Sequence, residues 1–521
     1  MSSTLGSGGP RRQRAGTRNG VEVGPPRTRR FRVDVGRSKG SHVPRRRVRV
    51  QHADGETLEQ GIRAIQDELK VSPEFPADVV AAAEQAAAGA WLPELDRTDL
   101  PLVTIDPPDA MDLDQAMFIE RTERGHRVYY AIADVAAFVR PGDPVDVEAN
   151  KRGETLYGAS TKVPLHPPVL SEGAASLLPD EVRPALLWSI ELDETGEGVE
   201  VDVRRAKVKS RAKLSYEGVQ ADVDAGRADE MFTLLREVGE LRKKREQVRG
   251  GVSLPLPEQE IVVDGDRWSL RFRAPLPVER WNEQISLLTG MAAAHLMLYA
   301  EVGLLRTLPE PESRAVQRLH RTADALGIDW PAEQLYPDFV RTLDPDRPEH
   351  AAMLMSCTAL LRGAGYVAFE GAVPDRPEHS ALASEYAHVT APLRRLCDRY
   401  ALEVCVALCA DEPVPDWVRA ALPGLPKTMQ ESGHRAGQYE SAVVELTEAG
   451  VLAPQVGQTF TGVIVEVDHD EPAKGAVLIR EPAIEARVST SAGELPLGEQ
   501  VQVKLVEADL TSRQIRFELA R

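Results

Sequence analysis

The chain has 521 residues, with 63 Lys and Arg against 81 Asp and Glu and a formal net charge of −18. That length implies several domains with ample core, and no apolar run approaches the roughly 18 residues needed to span a membrane. The N-terminus lacks the apolar region of a secretory signal, and Arg far outnumbers Lys, so we expect a cytoplasmic protein. The charge is uneven: residues 1–50 hold 14 basic residues against 2 acids, and the remainder 49 against 79. A nucleic-acid partner would therefore have to meet local basic surfaces on an acidic body. Cys357, Cys397, Cys405 and Cys409 form neither a CxxC pair nor a zinc spacing. Cys405 and Cys409 lie four apart on an expected helix, which suits core packing.

In chain order, residues 1–44 are rich in Gly, Ser, Pro and Arg without hydrophobic periodicity, which predicts a disordered basic tail. A short helical region follows over 45–98, with a strand at 45–50 and helices at 57–69 and 76–90. An apolar entry at 102–105 then delivers Asp106, a Pro107-Pro108 turn, Asp109, Asp112, Asp114 and Gln115. Four carboxylates within nine residues repel one another and raise each other's pKa. They become favourable around hard divalent cations, since Mg2+ takes a few carboxylates together with waters and phosphate oxygens. Asp112 and Asp114, two apart, share one face of an extended segment. A calcium loop does not fit, because its Gly at the sixth position and Glu at the twelfth are missing. Spacing alone leaves a solvated acidic turn open as well.

The remaining elements are a buried strand at 128–135, a long helix at 228–249 ending at Gly250-Gly251, and an apolar helix at 279–301 that should lie centrally. At 457–519 five short alternating strands, separated by Gly and acidic turns, suggest a small OB barrel. Its strands hold two aromatics, Phe460 and Phe517, so few platforms for base stacking are visible.

Thr104-Ile105-Asp106-Pro107 followed by Met111-Asp112-Leu113-Asp114-Gln115-Ala116 resembles the RNB catalytic domain of the ribonuclease II and ribonuclease R family. Tyr386-Ala387-His388-Val389-Thr390-Ala391-Pro392-Leu393-Arg394-Arg395 is similar to the family's Tyr-x-His-Phe-Thr-Ser-Pro-Ile-Arg-Arg, with departures at Val389, Ala391 and Leu393. Leu396 stands where the family has Tyr, and Thr289 where it has Asn. The fold class implied is α+β: an RNB domain over 99–450, with a mixed sheet surrounded by helices, and an S1-type five-stranded OB barrel over 455–521. The two cold-shock domains usual ahead of the RNB domain do not fit in the residues before 99.

The resemblance implies processive 3′-to-5′ hydrolysis of single-stranded RNA to nucleoside 5′-monophosphates, by a monomer, with Mg2+ or Mn2+ as cofactor. Two Mg2+ about 4 Å apart could activate water and stabilise the leaving alkoxide. Asp106, Asp112 and Gln115 would hold metal, and Asp112 and Asp114 would act on the reacting phosphate with Arg394, whose planar fork suits phosphate oxygens. Tyr157 would stack on the terminal base, Tyr216 would limit the far end of the channel, and Glu283 and Arg395 would contact substrate. His388 reads as a structural histidine. The family's fourth aspartate is Gln115 here, which removes one negative charge and should weaken one Mg2+ site. That substitution keeps open an RNA-binding protein that has lost turnover. A metal-dependent phosphatase on the same acidic stretch would leave the C-terminal barrel unexplained.

Overall fold

The computed structural model describes residues 53–159, 161–264 and 267–520; the tail expected at 1–44 and the strand at 45–50 lie outside them. Ahead of residue 100 the described chain holds strand β1 (Ala53–Asp54) and helices α1 (Gly55–Leu69) and α2 (Ala77–Ala88). Leu58, Ile62 and Ile65 recur at helical spacing and are buried, which gives α1 one apolar face.

Next come β2 (Thr104–Ile105) and the hairpin β3 (Gln115–Thr122) with β4 (Gly125–Ala133). Helix α3 (Pro144–Arg152) starts at Asp143, whose carboxylate accepts the Asp146 N–H, with Pro144 in its first turn. It stops at Gly153, with φ at +79°, where any Cβ would run into Ser432. The two-residue strands β5 (Leu156–Tyr157) and β6 (Lys162–Val163) follow, then the long hairpin of β7 (Val182–Asp193) and β8 (Gly198–Lys209). The main sheet has the order β3-β4-β7-β8, every neighbour antiparallel. The parallel component of the expected mixed sheet sits beside it, where β2 pairs with β9 (Lys213–Leu214).

Helices α4 (Tyr216–Asp224) and α5 (Glu230–Arg249) and the central α6 (Pro277–Tyr299) complete this layer, while the hairpin of β10 (Glu258–Asp264) and β11 (Arg267–Arg273) pairs with β1 and packs on α1. One sheet face, with Tyr130, Ile132 and Trp188, packs on Trp281, Ile285 and Leu288 of α6. The other, with Tyr129, Ala131 and Leu187, packs on Val79 and Ala83 of α2. Burial of both faces is why the strand at 128–133 reads as a continuous apolar run without alternation.

Strand β12 (Val302–Thr307) leads into a helical insert of α7 (Ser313–Ala325), α8 (Tyr336–Val340) and α9 (Pro348–Cys357). Trp330 anchors its core, stacked on His320 at 3.8 Å and on Phe339 at 3.9 Å. Strand β13 (Gly365–Glu370) returns to β12, and β14 (Glu378–His379) pairs with β15 (Ser384–Glu385). Helix α10 (Leu396–Cys409) carries Cys397 and Cys405 in the core as free thiols.

After α11 (Asp416–Ala421), the 28-residue α12 (Leu425–Leu452) joins two cores. Leu425 and Met429 belong to the core under the main sheet, whereas Tyr439, Val443 and Leu446 pack with α1, β11 and the C-terminal barrel. That barrel comprises β16 (Thr459–Val467), β17 (Lys474–Ile479), β18 (Ile484–Ser489), β19 (Gln500–Asp509) and β20 (Gln514–Leu519). It closes in the order β16-β17-β18-β20-β19, an OB arrangement. Phe517 is fully buried and meets Phe460 edge-on at 5.7 Å, so it serves the barrel core and not a stacking face.

Candidate active site

The acidic stretch is held open as a loop by its backbone. Asp106 leaves β2 with its N–H on the Leu214 carbonyl at 3.0 Å, which sets it beside the start of α4. Lys213 ties down the proline turn by donating to the carbonyls of Pro108 and Ala110. Ser176 accepts the Leu113 N–H at 3.0 Å and donates to the Met111 carbonyl at 2.6 Å. Leu113 points into the core while Asp112 and Asp114 take the opposite face, as period-two alternation requires.

Each carboxylate meets a different environment. Asp114 is buried; its Oδ1 accepts the Leu393 N–H at 2.8 Å and its Oδ2 lies 3.6 Å from Arg394 Nε. Burial pushes its pKa up to about 8 against the pull of Arg394. Asp112 is paired with Lys162 at 2.9 Å, and the same ammonium holds Glu172 at 2.8 Å. Asp106 Oδ2 is buried without a hydrogen-bond partner, and burial raises its pKa to about 6. A buried carboxylate oxygen with only the Thr104 hydroxyl nearby, next to two further carboxylates, fits a hard cation.

The second motif brings its residues to this loop from across the chain. The Thr155 N–H donates to the Arg394 carbonyl and the Leu396 N–H to the Gly153 carbonyl, both at 2.9 Å. This pairing carries β5 past Arg394, so that Tyr157, 39% exposed, emerges beside it. Tyr216 sits on the other side at the start of α4, its hydroxyl accepting from Asn282 of α6 at 3.0 Å. Tyr130 lies beneath, its hydroxyl buried without a partner and electrostatically coupled to Tyr216, Asp106 and Asp114.

Three expected site residues are placed differently. Gln115 donates from its amide nitrogen to the Thr390 carbonyl, a role no carboxylate could fill, and so ties β3 to the second motif. Thr390 is itself bonded through its hydroxyl to Ser286 of α6 at 2.9 Å. Arg395, expected to contact substrate, is not brought to the carboxylates. It forms a bidentate pair with buried Asp398, with Nε and Nη2 each 2.9 Å from an oxygen. Residues 392–394 form a turn, with the Arg394 and Arg395 N–H groups both on the Ala391 carbonyl, and the backbone becomes extended at Arg395 (φ −131°, ψ 125°). Arg394 therefore takes the site and Arg395 the interior. Glu283 is half-exposed and pairs with Arg280 at 3.3 Å, one turn back on α6.

Among the described residues, His388, Cys397 and Asp398 bring metal-ligand atoms within 4.8 Å of one another. This is a structural bracket. Asp398 already accepts from Arg395 and from the Ala391 N–H at 2.7 Å, and His388 Nδ1 lies 2.8 Å from the Tyr366 hydroxyl. Burial holds His388 well below its ordinary pKa, so it is neutral.

An acidic loop and a Pro-x-Arg segment joined over an antiparallel sheet, with an OB barrel behind, define an RNB-type protein. The RNB domain family matches residues 95–409, and the RNase II-type exonuclease C-terminal S1 domain matches residues 458–520. The chain belongs to the RNB family. Ribonuclease R of Escherichia coli is 30% identical over 413 residues, covering 74% of this chain and 49% of that protein. The chain thus spans about half the length of the curated relatives it matches. The apo form of Mycoplasma genitalium RNase R shares the fold at a TM-score of 0.80 and 20% identity, over 89% of this chain and 78% of that one. Yeast Ssd1, described as a pseudonuclease, does so at 0.63 and 15% identity, over 86% and 57%.

Proposed function

We propose that the chain is a 3′-to-5′ hydrolytic exoribonuclease that degrades single-stranded RNA processively to nucleoside 5′-monophosphates, acting as a cytoplasmic monomer. The observation that carries this reading is the junction of buried Asp114 with Leu393, 279 positions away, and with the adjoining Arg394. It joins an acidic loop to a phosphate-binding guanidinium beside an exposed aromatic ring.

Asp106 and Asp112 would hold Mg2+ or Mn2+, with the Gln115 amide oxygen as a neutral donor. The ion, when bound, supplies Lewis-acid stabilisation of the phosphodiester and acidifies water. Arg394 receives phosphate oxygens on its planar fork. Asp114, fixed by the Leu393 N–H, orients that guanidinium and supplies negative charge next to the attacking water. The water oxygen bonds to phosphorus and the P–O3′ bond breaks, leaving the 5′-phosphate on the departing nucleotide. Tyr157 stacks on the terminal base without regard to its identity. Tyr216, braced by Asn282, closes the far end, and Glu283, on the same helix as Asn282, would approach the ribose edge. Contacts to the 2′-hydroxyl would separate RNA from DNA.

One observation favours a second reading, an RNA-binding protein without turnover: Gln115 stands where a fourth carboxylate is expected and its amide nitrogen donates to Thr390. Product chromatography separates the two. Nucleoside 5′-monophosphates from an unstructured RNA support the exonuclease. Bound but intact RNA supports the binding protein, and 3′-phosphates or cyclic phosphates contradict the hydrolytic step above.

A further inference from the structure

Resting on the metal-dependent reading above, we propose that Lys162 is a built-in cation of the active site, taking the place of a second divalent ion, so that the centre holds one metal ion. Lys162 stands directly opposite Tyr157 in the β5–β6 ladder, so the hairpin that presents the aromatic ring presents an ammonium group to the same site. Its Nζ lies 2.9 Å from Asp112 Oδ1 and 2.8 Å from Glu172 Oε1, and it bridges them as a metal ion would bridge two carboxylates. Asp112 is drawn towards this bridge and Asp114 towards Arg394. Of the three aspartates, Asp106 alone keeps a buried oxygen without a close hydrogen-bond partner, with the Thr104 hydroxyl nearby.

The charges close on the same answer. By formal charge, Asp106, Asp112, Asp114 and Glu172 face Lys162, Lys213 and Arg394. Asp398, which also acts on Asp114, is neutralised by its own pair with Arg395. Four negative and three positive groups leave one negative charge. One divalent ion and one phosphodiester anion bring that to zero, whereas a second divalent ion leaves two uncompensated positive charges in a half-buried site. Gln115, neutral where a carboxylate would favour a further cation, acts in the same direction.

The experiment counts Mn2+ on the full chain by the electron paramagnetic resonance of the free ion, scoring the ions that Asp112→Asn abolishes. Wild type should bind one, and Lys162→Gln, which keeps side-chain length and removes the charge, should bind two. Lys162→Arg and Glu172→Gln, which leave a cation on Asp112, should each stay at one. Two ions on the wild type, or one on Lys162→Gln, would overturn the assignment. Hydrolysis of labelled RNA by the same preparations keeps the two ideas apart. A wild type that cleaves RNA with two ions loses only the lysine assignment. One that holds one ion without cleaving loses only the activity.

Discussion

The backbone N–H of Leu393 donates to Asp114 Oδ1 at 2.8 Å, across 279 positions of sequence. This bond fixes the carboxylate from one side while Arg394 approaches from the other. An asparagine carbonyl could still accept the Leu393 N–H, so Asp114→Asn should fold normally. It loses the charge that orients Arg394 and acts on the reacting phosphate. Turnover should fall by at least about a hundredfold, the scale of losing a positioned charge in an active site. RNA affinity, read by fluorescence anisotropy, should hardly change. Undiminished turnover would place the chemistry elsewhere.

Gln115→Asp tests the missing charge. The new carboxylate loses the donor that holds Thr390, which should cost about 1 kcal/mol of stability. It adds a ligand charge, so the Mg2+ concentration for half-maximal hydrolysis should fall and turnover at low Mg2+ should rise. Thermal unfolding and a metal titration of the rate read the two effects separately. A variant that needs more Mg2+ than wild type would show that position 115 serves only as a tether.

Tyr157→Ala should weaken binding of short single-stranded RNA measured in EDTA by about 1–3 kcal/mol, the worth of one base–aromatic stack. Tyr157→Phe should bind as wild type does. Equal losses in both variants would assign the contact to the hydroxyl instead of the ring.

Glu448 supplies a pH dependence away from the chemistry. It is buried where α12 meets the barrel, with its Oε1 accepting from Gln259 at 2.8 Å. Burial raises its pKa from 4.5 to about 7, opposed by Gln259 and reinforced by the charges of Glu485 and Glu445. A carboxyl whose folded pKa is raised favours the folded state below its unfolded value, and that contribution is lost as pH rises through the folded one. Stability should therefore decline between pH 4.5 and about 7, by up to about 3 kcal/mol from this group. Glu448→Gln should flatten that slope and be more stable than wild type at pH 8. An unchanged slope in chemical denaturation would remove Glu448 as its source.

Much of this architecture is legible in the chain. The five barrel strands alternate with period two, and all five appear in the structure. Gly250, with φ at +88°, ends α5 where the Gly-Gly pair predicts. Leu113 between Asp112 and Asp114 already marks an extended segment with a core side and a reactive side. What stays hidden depends on contacts between distant segments. Arg394 and Arg395 are equivalent in sequence until the turn over 392–394 sends one to Asp114 and the other to Asp398. Lys162 is an isolated lysine until the β5–β6 register sets it opposite Tyr157. Asn282 and Tyr130 carry no pattern at all, because the Tyr216 environment gathers them from three separate elements. The insert around Trp330 is legible only once its rings are seen stacked.

The central claim is a metal-dependent 3′-to-5′ exoribonuclease, and one assay addresses it directly. Wild type is given the same unstructured RNA, labelled at either the 3′ or the 5′ end, with Mg2+ or Mn2+. The account predicts immediate release of the 3′ label as a mononucleotide, and conversion of the 5′-labelled RNA to a short end product. EDTA should abolish both. RNA that remains intact with either metal, or a 5′ label released first as a mononucleotide, would contradict it.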